Sequence, residues 1–481
     1  MMDNMTKWLG RTLVAGAAAL MVLSAALSVA AHAQGAPEAP PAATSEAPAA
    51  PEAPPPAAEP AAAPAAAAAG PKIDTGDTAW MMTSTALVLL MTIPGLALFY
   101  GGMVRKKNVL ATLAQSFGAT CIITVLWMII GYSLAFTPNP DGAINQVIGG
   151  TNYLLLGPMG LNAQNSLAAT IPESVYMTFQ MTFAIITPAL IAGALADRMK
   201  FSAFMWFMSL WLIFVYCPIA HWVWGGGFLG QWGALDYAGG TVVHLNAGTA
   251  GLITCLVLGK RVGYGHENMS PHNLTLSVIG ASLLWVGWFG FNAGSAVTSN
   301  VNAGMAMAAT QIATAAASLA WMFAEWMVAK KPSVLGMISG AVAGLVAITP
   351  ASGFVTPGGA LIIGLVAGGL CYSATLLRAR SRVDDALDVF AVHGVGGMFG
   401  AIATGIFASA TVQSAYSGLL DGNPQQVVTQ GIAVAATVGY AAVGTVVIVK
   451  VVDLLLGLRV NPAAEEAGLD ISVHGEAAYQ V

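Results

Sequence analysis

Eleven apolar segments follow one another between residues 79 and 457, and each is close to the length that a helix needs to cross a membrane. A hydrocarbon core takes about 20 helical residues, and lipid cannot satisfy unpaired backbone groups, so each segment is predicted to be a helix. The chain is 57% hydrophobic and only 8% charged, which excludes a soluble globular fold. The predicted spans are 79–101, 109–136, 174–196, 201–222, 238–259, 273–293, 303–329, 334–350, 358–377, 387–408 and 427–457.

Lysine and arginine support this layout because, after Lys72, they occur only in alternate connections and near the end of the chain. By the positive-inside rule these connections are predicted to be cytoplasmic, with the mature N-terminus outside and the C-terminus inside. The basic residues are Arg105, Lys106, Lys107, Arg198, Lys200, Lys260, Arg261, Lys330, Lys331, Arg378, Arg380, Arg382, Lys450 and Arg459. The connections that carry none are 137–173, 223–237, 294–302, 351–357 and 409–426.

The first 33 residues are predicted to be a secretory signal peptide. Lys7 and Arg11 precede an apolar run, and a small-residue cleavage site of the A-x-A kind ends at Ala33. An uncleaved first helix is the alternative. Residues 34–74 are mostly Ala, Pro, Glu and Ser, which predicts a disordered extracytoplasmic segment. The remaining predicted units are a transmembrane domain at 75–458 and a cytoplasmic tail at 459–481.

Several classes of function are disfavoured by composition. The chain has no basic face that could neutralise phosphates, so we expect no nucleic-acid partner. The four cysteines lie in apolar segments without the spacing of a metal site, and they are predicted to be small core residues. The cysteines therefore give no indication of a metal site. We also expect no cofactor and no enzymatic activity. The cysteines are Cys121, Cys217, Cys255 and Cys371.

The odd number of segments in each half, five before the final eleventh segment, predicts two inverted repeats. If segments one to five and six to ten are repeats, their odd length forces opposite orientations in the membrane. Asp236 precedes His244 by eight residues where the fifth segment opens, and Asp385 precedes His393 by eight where the tenth opens. The predicted fold class is an all-α polytopic membrane protein with eleven transmembrane helices, an inverted five-helix repeat plus a final helix. A transport path is expected at the interface between the repeats.

His244 and His393 are the two histidines predicted to lie deep in the membrane. An ionisable residue there costs roughly 2.5 to 3.5 kcal/mol on insertion scales, which favours a functional role. The alternative is a core histidine bonded to a backbone carbonyl. Eight residues of helix span about 12 Å, so neither aspartate is expected to bond its own histidine directly.

Asp236 is predicted to lie at a helix N-terminus near the outer mouth, where its charge would favour an arriving cation. A plain helix cap is the alternative for Asp236, and Asp385 is predicted to be structural. Trp224, Phe183 and Phe291 lie in aromatic-rich stretches at the same end. A tryptophan face beside a carboxylate can hold a small cation, with about 0.5 to 2 kcal/mol from the cation–π contact. Near Phe291, the hydroxyl of Ser295 could add a hydrogen-bond acceptor.

Several longer strings carry a specific family resemblance. Among them are FQMTFA, PIAHWVWGGGFLG, DYAGGTVVHLNAGTAGL, GWFGFNAGSA, DDALDVFAVHGVGG and GLDISVHGEAAY. In combination they resemble the ammonium transporter family, the Amt/Mep/Rh group, and most closely its bacterial Amt branch. The resemblance covers about residues 75–481, and only the N-terminal signal and the Ala/Pro-rich segment lie outside it.

The resemblance implies a homotrimer in the bacterial inner membrane, with one pore per subunit and ammonium as the substrate. Methylammonium is a further candidate substrate, and the cytoplasmic tail resembles the segment that the family uses with P-II signalling proteins. The implied mechanism recruits NH4+ outside, removes a proton and passes NH3, with or without a relayed proton. The implied site residues are Trp224, Phe183, Ser295 and Asp236 for recruitment, Phe183 and Phe291 for the gate, and His244 and His393 for the pore.

Other readings of the same pattern remain open from the sequence. Two histidines on facing helices could ligate a haem iron from both sides. The same scaffold could also be an ammonium sensor or a channel for another small neutral gas. Sensors usually carry an added signalling domain, whereas about 23 residues follow the last predicted span.

Overall fold

The computed structural model describes residues 72–381 and 383–479. The predicted signal peptide and almost all of the Ala/Pro-rich segment lie outside this range. Within it, ten helices are long and apolar enough to cross a membrane, and one apolar helix is shorter. In chain order they are α1 (Thr75–Met103), α2 (Lys106–Phe136), α3 (Glu173–Leu195), α4 (Phe201–Gln231), α5 (Gly240–Leu258), α6 (Leu274–Gly294), α7 (Val301–Ala329), α8 (Val334–Ile348), α9 (Pro357–Ser381), α10 (Phe390–Phe407) and α11 (Gln425–Leu456), of which α8 is the shorter one. The predicted all-α fold with eleven apolar helices is confirmed.

The connections that carry Lys and Arg meet one another on one face of the protein, which we call the basic face. Arg105 Nε lies 3.0 Å from Asp197 Oδ2, which joins the connection after α1 to the one after α3. Arg261 Nη2 lies 2.8 Å from Asp384 Oδ1, which joins the connections after α5 and α9. Because these alternate connections touch, the helices run alternately up and down as the charge pattern predicts.

The connections without Lys or Arg meet in the same way on the opposite face. The backbone N–H of Tyr237, before α5, donates to the carbonyl of Pro350, after α8. The backbone N–H of Ser409, after α10, donates to the carbonyl of Phe354, before α9. Hydrogen bonds between loops therefore close this face without ion pairs to lysine or arginine.

Helices α5 and α10 begin alike. Each opens with a turn of π-helix that contains the histidine, at Gly240–Leu245 in α5 and at Phe390–Gly394 in α10. An aspartate precedes each opening turn, as expected of equivalent positions in two repeats. π-Helical turns are rare and often mark functional sites, because they displace side chains from the regular helical spacing.

Glycine allows α5 and α10 to touch through their backbones. A Cβ atom at Gly248 of α5 would lie 2.2 Å from the backbone nitrogen of Gly394 in α10. No side chain fits at that distance, so the close approach depends on glycine at this position. The two helices that carry the histidines are thereby held at the centre of the helix bundle.

The chain after α11 folds back onto the basic face. A short helix, α12 (Pro462–Ala467), follows the last span. Beyond it the backbone N–H of Leu469 donates to Asn108 Oδ1 at 2.7 Å. Asp470 Oδ1 accepts from the backbone N–H of Ala111 at 2.8 Å. These bonds fix the tail to the first turns of α2.

Candidate functional site

A cavity of about 260 Å³ lies on the face opposite the basic face, and we call it the Trp224 cavity. Its walls come from the connection before α3, from α3 itself, from α4 with the connection after it, and from the residues directly after α6. It unites three of the sequence-predicted recruitment residues, Trp224, Phe183 and Ser295. Its other lining residues are Leu167, Tyr176, Gln180, Val223, Tyr237 and Val297.

Two phenylalanine rings close the inner end of the Trp224 cavity. The ring of Phe183 stacks on that of Phe291 with centroids 4.2 Å apart and planes inclined by 28°. Trp224 meets Phe183 edge-on at 5.9 Å, so the indole and the phenyl face form a corner of the cavity. Both phenyl rings are fully buried. The two residues that the sequence predicts as a gate are therefore in direct contact.

Trp224 is held in place by the residue that also caps α5. Its indole Nε1–H donates to the backbone carbonyl of Asp236 at 2.8 Å. This bond fixes the indole plane at the cavity wall, where an aromatic face can attract a cation. Ser295 is fixed similarly, since its Oγ donates to the carbonyl of Phe291 at 2.8 Å and keeps its lone pairs free to accept.

The carboxylate of Asp236 is occupied by the N-terminus of α5. It accepts hydrogen bonds from the backbone N–H groups of Gly239, Gly240, Thr241 and Val242 at 2.6 to 3.1 Å. The hydroxyl of Thr241 donates to it as well. Asp236 is buried and does not line the Trp224 cavity. Its contact with the Trp224 cavity runs through the bond that Trp224 donates to its backbone carbonyl, and the predicted helix-cap geometry is present.

His244 and His393 lie beneath the phenylalanine pair and contact each other. Their Nδ1 atoms are 3.2 Å apart and their ring centroids 5.3 Å apart, with planes inclined by 21°. His244 also lies 5.8 Å from the ring of Phe291, centroid to centroid. Its other face stacks on Trp288 at 5.2 Å. The two histidines thus lie directly beneath the stacked phenylalanine rings, and neither bonds its own aspartate.

Each histidine ring needs a defined tautomer for this contact. One Nδ1 must carry a hydrogen and the other must accept it, so the neutral pair exposes one donor and one acceptor at its Nε2 atoms. The Nε2 of His244 is buried and has no partner within the described residues. Two rings in direct contact leave no gap for a porphyrin between them, which counts against the haem alternative.

A second cavity, of about 310 Å³, reaches His393 from the basic face, and we call it the Arg378 cavity. Arg378 and Asp388 line it as an ion pair, with Arg378 Nε 2.7 Å from Asp388 Oδ1. Glu325 adds a further charge to its wall. Because His393 lines this cavity and Phe183 lines the other, the stacked phenylalanines and the histidine pair lie between two cavities on opposite faces.

Asp384 and Asp385, between α9 and α10, have pKa values shifted in opposite directions. Burial disfavours a charge on Asp384, but the bidentate Arg261 guanidinium outweighs it and lowers the pKa of this carboxyl below its ordinary value. Asp385 is fully buried, and only its Oδ2 accepts a bond, from the backbone N–H of Phe390. Burial and the nearby charge of Asp388 raise the pKa of Asp385 to about 6.

Some residues at this site were not predicted from the sequence. Gln180 and Tyr237 line the Trp224 cavity, yet neither stood out in the sequence. Gln180 lies one turn before Phe183 on α3, and Tyr237 directly follows Asp236. Their proximity to these predicted site residues was the only sequence feature that could have indicated them. A third histidine is buried as well, although it lies near the end of α4 and not deep in the membrane. His221 is also fully buried, because its ring nitrogens lie against the carbonyls of Ala135 and Asn145.

Known proteins resemble this chain over nearly all of its described length. The model of the Ammonium Transporter Family matches residues 79–479. An ammonium transporter of Bacillus subtilis (strain 168) is 49% identical over 407 residues, which is 84% of this chain and 98% of that protein. The ammonium transporter Amt1 of Archaeoglobus fulgidus is 47% identical over 404 residues, or 84% and 99% of the two chains.

Solved structures agree with this assignment. The crystal structure of Mep2 from Saccharomyces cerevisiae has a TM-score of 0.75 and 37% identity, covering 81% of this chain and 91% of Mep2. A structure described as a sensor Amt protein has a TM-score of 0.76 and 27% identity, covering 83% of this chain and 98% of that one. The related proteins are multi-pass membrane proteins and not enzymes, and the same holds here. This chain therefore belongs to the ammonium transporter family.

Proposed function

We propose that this ammonium transporter recruits NH4+ in the Trp224 cavity, removes a proton there and passes NH3 between Phe183 and Phe291 to the twin histidines. One observation carries the proposal: the cavity, the stacked rings, the histidine pair and the Arg378 cavity follow one another from one face to the other. Ammonium transport itself follows from the family.

Recruitment of a cation fits the chemistry of the Trp224 cavity. The indole and phenyl faces attract positive charge, and the hydroxyl of Ser295 offers a lone pair to an N–H donor. Asp236 supplies a negative charge one residue before Tyr237, although its oxygens bond the start of α5. Its role in the proposal is to hold Trp224 and the helix end, and to stabilise a cation at a distance.

Passage as NH3 fits the chemistry of the narrow region beneath the gate. A bare NH4+ between buried aromatic rings would forfeit its hydration without an equivalent set of acceptors. Neutral NH3 loses much less hydration free energy than NH4+ does. The histidine pair offers it one hydrogen-bond donor and one acceptor. A swap of tautomers in His244 and His393 would also relay a proton, so the pair serves NH3 passage with or without proton transfer.

The remaining parts of the proposal concern the cell and the assembly. We propose a homotrimer in the bacterial inner membrane, with the Trp224 cavity facing outside and the basic face in the cytoplasm. The charge pattern and the large exposed apolar side chains on the spans support this placement. A P-II signalling protein is the proposed partner at the basic face, where the ordered tail lies.

A sensor is the second candidate, because the sensor Amt structure shares the fold at 27% identity. A sensor would bind ammonium in the Trp224 cavity without sustained flux. One experiment separates the two functions: the measurement of current and luminal pH in proteoliposomes after ammonium pulses.

The test uses purified protein on a solid-supported membrane, with empty liposomes and potassium pulses as references. We expect an ammonium-dependent current or luminal alkalinisation, absent with potassium. Asp236→Ala should abolish it, because the carboxylate that caps the start of α5 is lost and the backbone that holds Trp224 loses its support. Asp141→Ala is the matched control, since Asp141 caps a short exposed helix on the same face. If the wild type gives no ammonium-dependent current and no luminal alkalinisation, the transport proposal is refuted.

A further inference from the structure

The ring of His221, near the end of α4 on the face opposite the basic face, lies between two backbone carbonyls. Its Nδ1 is 3.0 Å from the carbonyl oxygen of Ala135, and its Nε2 is 2.7 Å from that of Asn145. His221 is fully buried, and among the described residues no other group bonds either ring nitrogen. Both nitrogens therefore face oxygen atoms that can only accept a hydrogen bond.

A neutral imidazole ring cannot satisfy both carbonyls, because one of its nitrogens has a lone pair and no hydrogen. At 2.7 or 3.0 Å this lone pair would point at the lone pairs of a carbonyl oxygen, which is repulsive. A ring turned by half a rotation would place C–H groups against both carbonyls and satisfy neither. Only the imidazolium form, with a hydrogen on each nitrogen, donates to both oxygens at once.

The two carbonyls lie at helix ends, which favour a cation. Ala135 is next to the last residue of α2, and Asn145 ends a short helix, Gly142–Asn145. The last four carbonyls of a helix have no partner within it, and the macrodipole gives this end a negative partial charge. Hydrogen bonds from a charged donor are also stronger than those from a neutral one. These interactions offset the cost of burying the charge of the imidazolium.

Gly225 covers one of the two contacts. A Cβ atom at Gly225 would lie 2.0 Å from the carbonyl oxygen of Ala135 and 2.6 Å from Nδ1 of His221, so its backbone packs directly on this bond. The backbone N–H of Gly225 also donates to the carbonyl of His221 at 3.0 Å. On this side there is no space for a water molecule that could take the place of a missing ring hydrogen.

His221 joins the connection after α2 to the part of α4 that carries Trp224. Two other bonds run beside it. The indole of Trp222 donates to the carbonyl of Val147 at 2.8 Å, and the backbone N–H of Phe228 donates to the carbonyl of Gln146 at 3.0 Å. Neither of these bonds involves a titratable group, so among the three links only that of His221 responds to pH.

Other titratable side chains on the surrounding elements have their own partners or lie apart from the ring. The carboxylate of Asp141 accepts two backbone N–H bonds from its own turn, and that of Asp236 caps α5. Tyr132 of α2 donates to Glu173 of α3. Within the described ranges none of them bonds the ring of His221. The remaining titratable residues on these elements are Tyr216 and Cys217 of α4, His244 of α5 and Tyr440 of α11.

We propose that His221 is a pH-sensitive latch on the face opposite the basic face. With a hydrogen on both ring nitrogens it ties the connection after α2 to α4. Loss of one hydrogen at alkaline pH leaves a lone pair against a carbonyl oxygen, and this repulsion loosens the connection. Because Val223 and Trp224 follow His221 closely and line the Trp224 cavity, release of the latch loosens this wall of the cavity as well.

The protonation state is tested by nitrogen-15 NMR of the histidine rings in the purified protein in lipid vesicles. His221→Gln identifies the signals of His221 by their loss. We expect two N–H bonds on this ring at about pH 6 and one at about pH 9. A ring with a single hydrogen at the lower pH, or with both hydrogens at the higher pH, would overturn the proposal.

Release of the connection is tested by hydrogen–deuterium exchange without ammonium, so the result does not depend on the proposed path. A glutamine side chain donates from one end only, so His221→Gln imitates the singly protonated ring at every pH. At about pH 6, residues 139–148 and 222–230 should exchange at least about tenfold faster in the variant than in the wild type, the effect of one charge-assisted hydrogen bond. At about pH 9 the two proteins should exchange alike in both segments.

His266→Gln is the matched control, because His266 is exposed on the basic face and should leave exchange unchanged at both pH values. Residues 409–426, on the same face as His221, serve as an internal reference and should exchange alike in all three proteins. If they also accelerate in His221→Gln, this variant is loosened as a whole and the NMR result on the wild type decides. Equal exchange of wild type and His221→Gln at both pH values, or a difference that does not change with pH, would contradict the latch.

Discussion

The Nδ1 atoms of His244 and His393 lie 3.2 Å apart, although the two residues belong to different halves of the chain. Each histidine stands in the first, π-helical turn of its helix, and the two helices touch through Gly248 and Gly394. Rings that contact this closely have one shared hydrogen and act as a unit. The position of the pair, below the stacked phenylalanines and above the Arg378 cavity, makes it the narrow point of the proposed path.

Replacement of Trp224 by Leu should weaken recruitment. The loss of the cation–π contact predicts a rise in the half-saturating ammonium concentration of roughly two- to thirtyfold. Trp222→Leu is the control, because this neighbouring indole bonds the carbonyl of Val147 and does not line the Trp224 cavity. Equal shifts in the two variants, measured from transport currents, would mean that the indole of Trp224 has no special role.

Removal of the Phe291 ring should open the gate to other ions. Phe291→Ala leaves a space beside Phe183 and His244 that water can fill, so a potassium current is expected where the wild type has none. The variant should also lose about 3 to 5 kcal/mol of stability. Phe204→Ala deletes an equally buried ring that does not line either cavity and should lose stability without a leak. If Phe291→Ala carries no potassium current, Phe291 does not act as a gate.

Addition of one methyl group at Gly248 should damage the contact between α5 and α10. The new Cβ would lie 2.2 Å from the backbone nitrogen of Gly394, so overpacking should cost roughly 1 to 3 kcal/mol and lower transport. Gly439→Ala in α11 has no atom within 4 Å of the new Cβ and should leave stability unchanged or raise it slightly. Thermal unfolding of both variants checks this, and equal stabilities would contradict the tight contact.

The buried carboxyl of Asp385 should make the fold less stable as the pH rises. Its pKa of about 6 lies above the ordinary value of 3.8, so the neutral form favours the folded state. The contribution is complete below about pH 4 and is lost as the pH rises through 6, a change of up to about 3 kcal/mol.

Unfolding temperatures between pH 5 and 8 test this pH dependence. Asp385→Asn should flatten it, whereas Asp421→Asn, at an exposed loop position, should retain the wild-type profile. If the Asn variant keeps the full pH dependence, another group is responsible.

Much of the fold could be predicted because the membrane leaves few choices. Apolar runs of sufficient length must be helical, and the placement of Lys and Arg orders them, so the predicted spans agree closely with α1 to α11. The meeting of His244 and His393 followed from the repeat, since equivalent positions in inverted halves converge at their interface.

Contacts between distant segments were beyond sequence reasoning. Arg261 and Asp384 are 123 residues apart and their pairing needs the folded bundle. The burial of His221 depends on the carbonyls of Ala135 at the end of α2 and Asn145 in the following connection, and no local sequence pattern indicates these contacts.

The most direct test of the path is the current after an ammonium pulse when a central histidine is replaced by leucine. His244→Leu and His393→Leu each remove the shared hydrogen bond and leave an apolar side chain at the narrow point. Ammonium-dependent current should fall at least about tenfold in each variant, in line with the loss of more than 1.4 kcal/mol of barrier stabilisation. His266→Leu, on an exposed basic-face loop, should conduct like the wild type. Wild-type currents in both central variants would contradict passage through the twin histidines.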